Sequence, residues 1–178
     1  MRAPQGRRRA RRPGRANSDA ERRALAKASG RRPGRPAPAP RRGFAVLSTD
    51  GGSRGNPGPA AIGYVIWAAD DTLLAAHGEA IGVAGANVAE YRALLAGLAH
   101  ARRLRLDRVE ARCDARLIVA QVTGAREPAN PRLRELCGRV REAAAAIGTV
   151  VFTWVPADAN GRAHALVAEA LTSGAGGG

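Results

Sequence analysis

Residues 44–59 of the chain read FAVLSTDGGSRGNPGP. The first six of these residues are apolar or β-forming, so they predict a strand, and the carboxylate of Asp50 stands at its end. The glycines and prolines from Gly51 to Pro59 predict a loop, because glycine allows a close approach of the backbone to a ligand or another segment. Asp-Gly is also a turn dipeptide. The stretch therefore predicts a hairpin that presents an acid at a strand tip, with a second strand from residue 60 onward.

Charge is distributed unevenly along the 178 residues. Residues 1–42 hold 15 Lys and Arg and 2 Asp and Glu, whereas residues 43–178 hold 14 and 13. The net charge of +14 therefore describes a basic N-terminal segment joined to a nearly neutral remainder. With 45% hydrophobic residues, the chain is long enough to bury the core of one domain.

The N-terminal segment, residues 1–42, consists mainly of Arg, Pro, Ala and Gly. It has too little apolar surface to fold by itself, so we expect a disordered basic tail, with a short helix favoured only over residues 18–28. Arginine-rich segments bind nucleic-acid phosphates through charge, without sequence preference. A solubilising extension with no dedicated task is the alternative. We expect the folded domain at residues 43–172 and a flexible, glycine-rich C-terminus at residues 173–178.

Hydrophobic periodicity from residue 44 onward predicts nine helices and strands. We expect strands at 44–50, 60–69 and 72–82, a helix at 87–103, a strand at 109–113, helices at 114–123 and 131–147, and a strand at 149–155. A final helix, capped by Asn160, is expected to end at about residue 171. Strands that are close in sequence form an antiparallel meander, and helix-linked strands form parallel pairs with right-handed crossovers. The sequence therefore predicts an α/β fold. Its five-stranded mixed sheet has three antiparallel strands, then two parallel ones, and helices on both faces.

Three acids are expected at one edge of this sheet. Asp50 ends the first strand and Asp114 directly follows the fourth, and the carboxyl ends of parallel neighbours meet at one edge. Glu90 lies in the first turn of the long helix, which Gly97 allows to approach the sheet closely. Three convergent carboxylates repel one another unless a cation lies among them. Oxygen ligands in an incomplete cage suit Mg²⁺ or Mn²⁺.

Two of these acids also have a purely structural interpretation. Asp114 can cap the helix that follows it. Glu90 can be a solvated acid that favours the helix dipole. The metal-site hypothesis therefore depends on all three acids converging.

The remaining reactive side chains and the hydropathy pattern exclude several classes of protein. Cys113 and Cys137 have neither metal-ligand nor redox-motif spacing, so we expect buried free thiols in a reducing compartment. His77 and His100 have no acid expected beside them and are interpreted as structural or surface residues. No apolar run approaches the length of a membrane span, and the N-terminus is too charged for a signal peptide. We expect a cytoplasmic monomer that does not bind membranes.

Four motifs resemble the type I ribonuclease H family, most closely its compact bacterial, reverse-transcriptase-like branch. They are TDGGSRGNPGP at residues 49–59, NVAEYRAL at residues 87–94, Cys113-Asp114, and WVP at residues 154–156 with Asn160 and Ala163. The resemblance covers residues 44–172, and the family's order of elements matches the order expected here. It implies the ribonuclease H-like fold.

The resemblance also implies an activity, which is endonucleolytic hydrolysis of the RNA strand of an RNA–DNA hybrid. Two divalent ions, Mg²⁺ or Mn²⁺, would take part, and the products would carry 5′-phosphate and 3′-hydroxyl ends. Asp50, Glu90 and Asp114 match the family's catalytic, metal-binding acids, and Gly51 is expected beside the metal. The residues expected to bind the hybrid are Gly52, Ser53, Asn56 and Asn87.

The chain departs from the family pattern at several positions. His164 stands where the family has a fourth acid. An imidazole can ligate a metal and suits Mn²⁺ better than Mg²⁺, but His164 can equally be a polar helix residue that binds no metal. Ala86 and Ala115 replace an asparagine and a serine that are frequent in the family. The alternative function is therefore a non-catalytic module that binds RNA–DNA hybrids or duplexes and has a degenerate metal site.

Overall fold

The computed structural model describes residue 39 and residues 41–174. The helices and strands are β1 (Ala45–Ser53), β2 (Gly58–Trp67), β3 (Leu73–Ala84), α1 (Ala86–Arg103), β4 (Arg108–Cys113), α2 (Arg116–Val122), α3 (Pro131–Ala145), β5 (Thr149–Trp154) and α4 (Gly161–Ser173), with a 3-10 turn at Ala157–Asn160. All nine predicted helices and strands are present. The expected disorder of residues 1–42 and the short helix at 18–28 fall almost wholly outside the described residues, so the domain division stays a prediction.

One sheet joins the five strands in the order β3-β2-β1-β4-β5. The pairs β1–β2 and β2–β3 are antiparallel, whereas β1–β4 and β4–β5 are parallel. The predicted mixed sheet, antiparallel and then parallel, is confirmed. In its registers Asp50 lies opposite Gly63, and Thr49 lies opposite Cys113, so the parallel pairing of β1 with β4 ends just before Asp50 and Asp114.

Helix α1 packs on one face of the sheet because two glycines let it come close. A Cβ at Gly97 would lie 2.6 Å from Cδ1 of Leu47, and a Cβ at Gly51 would overlap the backbone of Ala89 and Glu90. The helix buries its apolar stripe in the core, which includes Tyr91, Leu94, Leu98 and Ala101. This close approach, predicted for Gly97, brings Ala89 and Glu90 of α1 onto β1 at Gly51. Because α1 begins at Ala86, the prediction that Glu90 lies in its first turn is wrong.

Helix α4 packs on the opposite face, because successive strand residues point to opposite sides of a sheet. A Cβ at Gly52 would lie 3.2 Å from Cγ1 of Val167 in α4, whereas a Cβ at the neighbouring Gly51 would point into α1. Gly63 lies under Ala163 and Leu166. The prediction of helices on both faces is therefore confirmed.

The glycine-rich stretch after Asp50 was predicted to be a loop, and this prediction is wrong for its first and last residues. Strand β1 continues through Ser53, which pairs with Ala60, so the connection to β2 is only residues 54–57. Gly51 and Gly52 are strand residues because α1 packs against Gly51 on one face of the sheet and α4 packs against Gly52 on the other. At the other end of the domain, the last helix runs to Ser173, two residues past its expected end.

Cys113 and Cys137 are both buried and free, as predicted. His77 was expected to have no acid beside it, which is wrong: its Nε2 lies 3.6 Å from Oε2 of Glu79 on the exposed strand β3. His100 shares a 3.0 Å hydrogen bond with the hydroxyl of Tyr64. Among the described residues, no helix combines the length and the apolar character that a membrane crossing requires.

Candidate active site

Asp50 and Asp114 come together where the parallel pairing of β1 with β4 ends. Thr49 pairs with Cys113, and the two acids are the next residues along their chains: Asp50 follows Thr49, and Asp114 follows Cys113. Asp50 is 9% exposed. The predicted convergence of these two acids is therefore present in the structure, and the parallel pairing of their strands produces it.

His164, from the first turn of α4, lies between the two acids. Its Nε2 lies 2.9 Å from Oδ2 of Asp114 and 3.5 Å from Oδ1 of Asp50. The ligand atoms of these three residues all lie within 4.8 Å of one another. The histidine thus occupies the carboxylate cluster and is not a remote helix residue.

Glu90 reaches the same edge from α1 on the other side of the sheet. It is 9% exposed, and the thiol of Cys113 donates a hydrogen bond of 3.7 Å to its Oε2. Ligand atoms of Glu90, Cys113 and Asp114 also lie within 4.8 Å of one another. Asp114 therefore belongs to both groups and joins Asp50 and His164 to Glu90.

The electrostatics differ among the three acids. Burial, followed by the negative charges of Asp50 and Asp114, raises the pKa of Glu90 to about 9. Burial also raises the pKa of Asp50, and the charge of His164 only partly opposes this. For Asp114 burial acts in the same direction, but the hydrogen bonds from His164 and Asn160 and the charge of His164 outweigh it and lower the pKa. Without a cation, the site thus retains a proton near Glu90 at neutral pH.

The structural alternatives for the acids do not hold. The residue at the start of α2 is Ala115, with no side-chain capping bond, and the Asp114 carboxylate is used by His164 and Asn160 instead. Glu90 is buried and not solvated. The interpretation of both as mere helix-end acids is therefore wrong.

Asn160 was expected to cap α4, but its side chain makes no capping bond. Its Nδ2 donates instead to the carbonyl of Thr49 at 2.8 Å and to Oδ1 of Asp114 at 3.1 Å. It is buried, so it ties the 3-10 turn to the ends of β1 and β4. Sequence reasoning missed this positioning role and that of Cys113, although both residues lie in the matching motifs.

The residues expected to bind a hybrid surround the start of α1. Asn56 is exposed in the loop, and its Oδ1 accepts a 3.2 Å hydrogen bond from the backbone N–H of Ala86. Asn87, the next residue, is also exposed. Ser53 donates to the carbonyl of Gly55 at 2.6 Å and so shapes the loop, whereas Gly52 contacts Val167 and serves the packing of α4.

Comparison with known proteins agrees with this arrangement. Residues 48–170 match the family model described as reverse transcriptase-like. Ribonuclease HI of Halobacterium salinarum is 44% identical over 122 residues, which cover 68% of this chain and 61% of that protein. The bifunctional protein Rv2228c of Mycobacterium tuberculosis is 40% identical over 131 residues, covering 73% of this chain and 36% of that protein. The chain thus spans less than two thirds of the length of either relative.

Solved structures of two relatives share the fold. The N-terminal RNase H domain of Rv2228c, crystallised as a fusion with maltose-binding protein, superimposes with a TM-score of 0.72 at 40% identity, covering 75% of this chain and 96% of that one. The RNase H1 called LC11, in complex with an RNA/DNA hybrid, gives 0.70 at 35% identity, covering 74% and 99%. The motifs, the sheet order and these matches agree, and the chain belongs to the reverse-transcriptase-like branch of the type I ribonuclease H family.

Proposed function

We propose that the protein is an endonuclease that hydrolyses the RNA strand of RNA–DNA hybrids. The observation that carries the proposal is the convergence of Asp50, Glu90, Asp114 and His164 at one sheet edge. Similarity to a ribonuclease HI and to an RNase H1 bound to an RNA/DNA hybrid supports the choice of substrate. His164 lies inside the cluster, so the non-catalytic alternative is not favoured.

The donor set fits Mg²⁺ or Mn²⁺. The carboxylates of Asp50, Glu90 and Asp114 and the imidazole of His164 are hard or intermediate donors, and Asp114 is shared by the two groups of candidate ligands. The second group also contains the soft thiol of Cys113, but burial raises its pKa, so it stays protonated as a hydrogen-bond donor to Glu90. Burial, followed by repulsion among the acids, disfavours the ionised forms of Glu90 and Asp50 and raises their pKa values, and divalent cations would stabilise those ionised forms. When bound, such ions supply the acidity that activates water and the positive charge that stabilises the leaving 3′-oxygen, which gives a 5′-phosphate and a 3′-hydroxyl.

The residues around the cluster hold it in position. Asn160 fixes one oxygen of Asp114, and the contact with His164 fixes the other. The Cys113 thiol orients Glu90, whose proton must leave when the site is loaded. Asp50 lies within β1, Asp114 directly follows β4, and Glu90 lies on a helix packed against the sheet, so their geometry is set before substrate arrives.

Substrate would be recognised beside the cluster. The exposed amides of Asn56 and Asn87 lie together at the start of α1, one turn before Glu90, and can bond the minor-groove edge of a hybrid. A 2′-hydroxyl in that groove is the group that distinguishes the RNA strand from DNA. The basic segment at residues 1–42 would add phosphate contacts without sequence preference.

Incubation with end-labelled substrates tests the proposal. With Mg²⁺ or Mn²⁺, the wild-type protein should cut the RNA of an RNA–DNA hybrid into fragments with 5′-phosphates, and EDTA should stop the reaction. Duplex DNA, duplex RNA and single-stranded RNA of the same sequence serve as controls. The proposal would be refuted if the RNA of the hybrid stayed intact with both metals, or if duplex RNA were cut as fast as the hybrid.

A further inference from the structure

The guanidinium of Arg116 lies over an aromatic ring at the edge of the candidate active site. Its guanidinium carbon lies 3.6 Å from the centroid of the Trp154 ring. The indole Nε1–H of Trp154 in turn donates a 3.0 Å hydrogen bond to the backbone carbonyl of Asp114. Arg116 is exposed and follows Asp114 by two residues. A cation is therefore fixed in place beside the acids by two successive contacts.

In the described part of the chain, the guanidinium of Arg116 forms no ion pair with an acid. Within residues 41–174, no carboxylate lies at ion-pairing distance from it. Stacking uses only a face of the guanidinium and leaves its in-plane N–H groups able to donate to a planar pair of anionic oxygens. Because the stack already restricts the side chain, little rotamer entropy remains to be lost when an anion binds.

Two further arginines stack on aromatic rings in the described part of the chain, and they lie elsewhere. Arg108 lies over Phe44 at 4.6 Å, at the amino end of β4. Arg162 precedes His164 by two residues, but it lies over Trp67 at 5.1 Å, and Trp67 pairs with Val46 near the amino end of β1. Neither aromatic partner is bonded to an acid of the cluster. Arg116 therefore differs from them in position and in its link to Asp114.

We propose that Arg116, supported by Trp154, is a phosphate subsite that holds a phosphate of the bound hybrid next to the position of cleavage. The inference rests on the proposed function. Residues 43–178 carry 14 basic and 13 acidic residues, and three of the acids converge where a polyanion must enter. A fixed cation beside those acids offsets their repulsion of the substrate backbone and sets its register.

Salt dependence of binding tests the subsite. An Asp50→Asn background keeps the hybrid intact, and affinity is measured by fluorescence anisotropy at several salt concentrations in Mg²⁺. Arg116→Gln should weaken binding about three- to tenfold and reduce the slope of log affinity against log salt by about 0.7 to 0.9, the loss of one phosphate contact. Arg116→Lys should keep the slope and lose less affinity. Arg108→Gln, the matched stacked arginine at the far end of β4, should change neither.

Replacing single phosphates of the hybrid with neutral methylphosphonates identifies the phosphate that Arg116 contacts. At one linkage, within about two nucleotides of the cut made by the wild-type protein, the methylphosphonate should abolish the difference in affinity between the proteins with Arg116 and with Arg116→Gln. Unchanged affinity and slope in Arg116→Gln, or equal losses in Arg108→Gln, would overturn the subsite while wild-type cleavage leaves the proposed function standing. A wild-type protein that neither binds nor cuts the hybrid would overturn both.

Discussion

Nε2 of His164 lies 2.9 Å from Oδ2 of Asp114, at the position where the family pattern has a fourth carboxylate. The same nitrogen can donate a proton to Asp114 or offer a lone pair to a metal, but it cannot do both. Metal loading therefore competes with the proton on this imidazole. The replacement changes the chemistry of the cluster, because an imidazole, which is a softer donor, stands where the family pattern has a hard, negative carboxylate.

Restoring a carboxylate at position 164 should change the metal preference. His164→Asp adds a hard oxygen donor, so the ratio of the Mg²⁺-supported to the Mn²⁺-supported cleavage rate should rise by roughly tenfold. Initial rates with each metal, measured on one hybrid, give the ratio. His164→Ala is the control, since it removes the imidazole without adding an oxygen. If all three proteins show the same ratio, His164 does not ligate the metal.

Asp50 should be needed for chemistry but not for binding. Asp50→Asn keeps the shape and removes the negative charge from the end of β1, so cleavage should fall by on the order of a thousandfold or more. The affinity for hybrid should stay within about threefold, because the exposed contacts at Asn56 and Asn87 are untouched. Anisotropy and single-turnover cleavage separate the two effects. Wild-type cleavage rates in this variant would exclude Asp50 from the mechanism.

Periodicity and turn chemistry predict the nine elements and their order, because each element carries its own local signal. Helix α1 shows this, with Tyr91, Leu94 and Leu98 at helical spacing and all buried. Local signals fail where tertiary contacts decide. Gly51 and Gly52 have the composition of a loop, yet they belong to β1 because helices pack on both sides of them.

The convergence of Asp50 and Asp114 at the candidate site could be predicted from the sequence. Topology places Asp50 and Asp114 together once β1 and β4 are recognised as parallel neighbours. Asn160 was not predictable in its role, because the Thr49 carbonyl that it bonds lies 111 residues away in the chain. An asparagine before a helix predicts a cap, and only the folded chain offers it better partners.

Glu90 should make the metal-free protein less stable as pH rises. Its pKa is about 9 in the folded protein against an ordinary 4.5, so the folded state holds a proton that the unfolded chain releases between those values. Stability from this group is fully present below about pH 4.5 and is lost towards pH 9, at up to about 1.4 kcal/mol per pH unit. Glu90→Gln cannot titrate, so its free energy of unfolding should depend less steeply on pH.

Urea unfolding in EDTA at several pH values between 5 and 8 measures this difference. The opposing contribution of Asp114, whose pKa is lowered, is retained in both proteins, so it largely cancels in the comparison. Parallel pH profiles for the two proteins would show that Glu90 ionises normally. Saturating Mn²⁺ should flatten the wild-type profile, because the ion favours the charged carboxylate.

A methyl group at position 51 should separate α1 from the sheet. A Cβ there would overlap the backbone of Ala89 and Glu90, and backbone atoms cannot rotate away as a side chain can. Gly51→Ala should therefore cost about 3 kcal/mol or more of unfolding free energy and displace Glu90 from the cluster. Gly138→Ala is the matched control: nothing lies within 4 Å of its Cβ position inside α3. This change should stabilise the protein by about 0.5–1 kcal/mol.

The basic segment should supply much of the salt-dependent affinity. Residues 1–38 hold 13 Lys and Arg and 2 Asp and Glu. Their deletion should flatten the slope of log hybrid affinity against log salt by several units, because phosphate contacts release counterions. The deletion should stop there, because the backbone N–H of Arg41 donates 3.1 Å to the buried Glu110, a contact that belongs to the folded domain.

A second deletion, of residues 1–42, measures what that contact contributes. It removes a partner of buried Glu110, so it should lower the free energy of unfolding by about 1–2 kcal/mol, whereas deletion of residues 1–38 should leave it unchanged. The two truncations thus separate phosphate binding from folding. A salt slope that is unaltered by the shorter deletion would mean that the basic segment does not touch the hybrid.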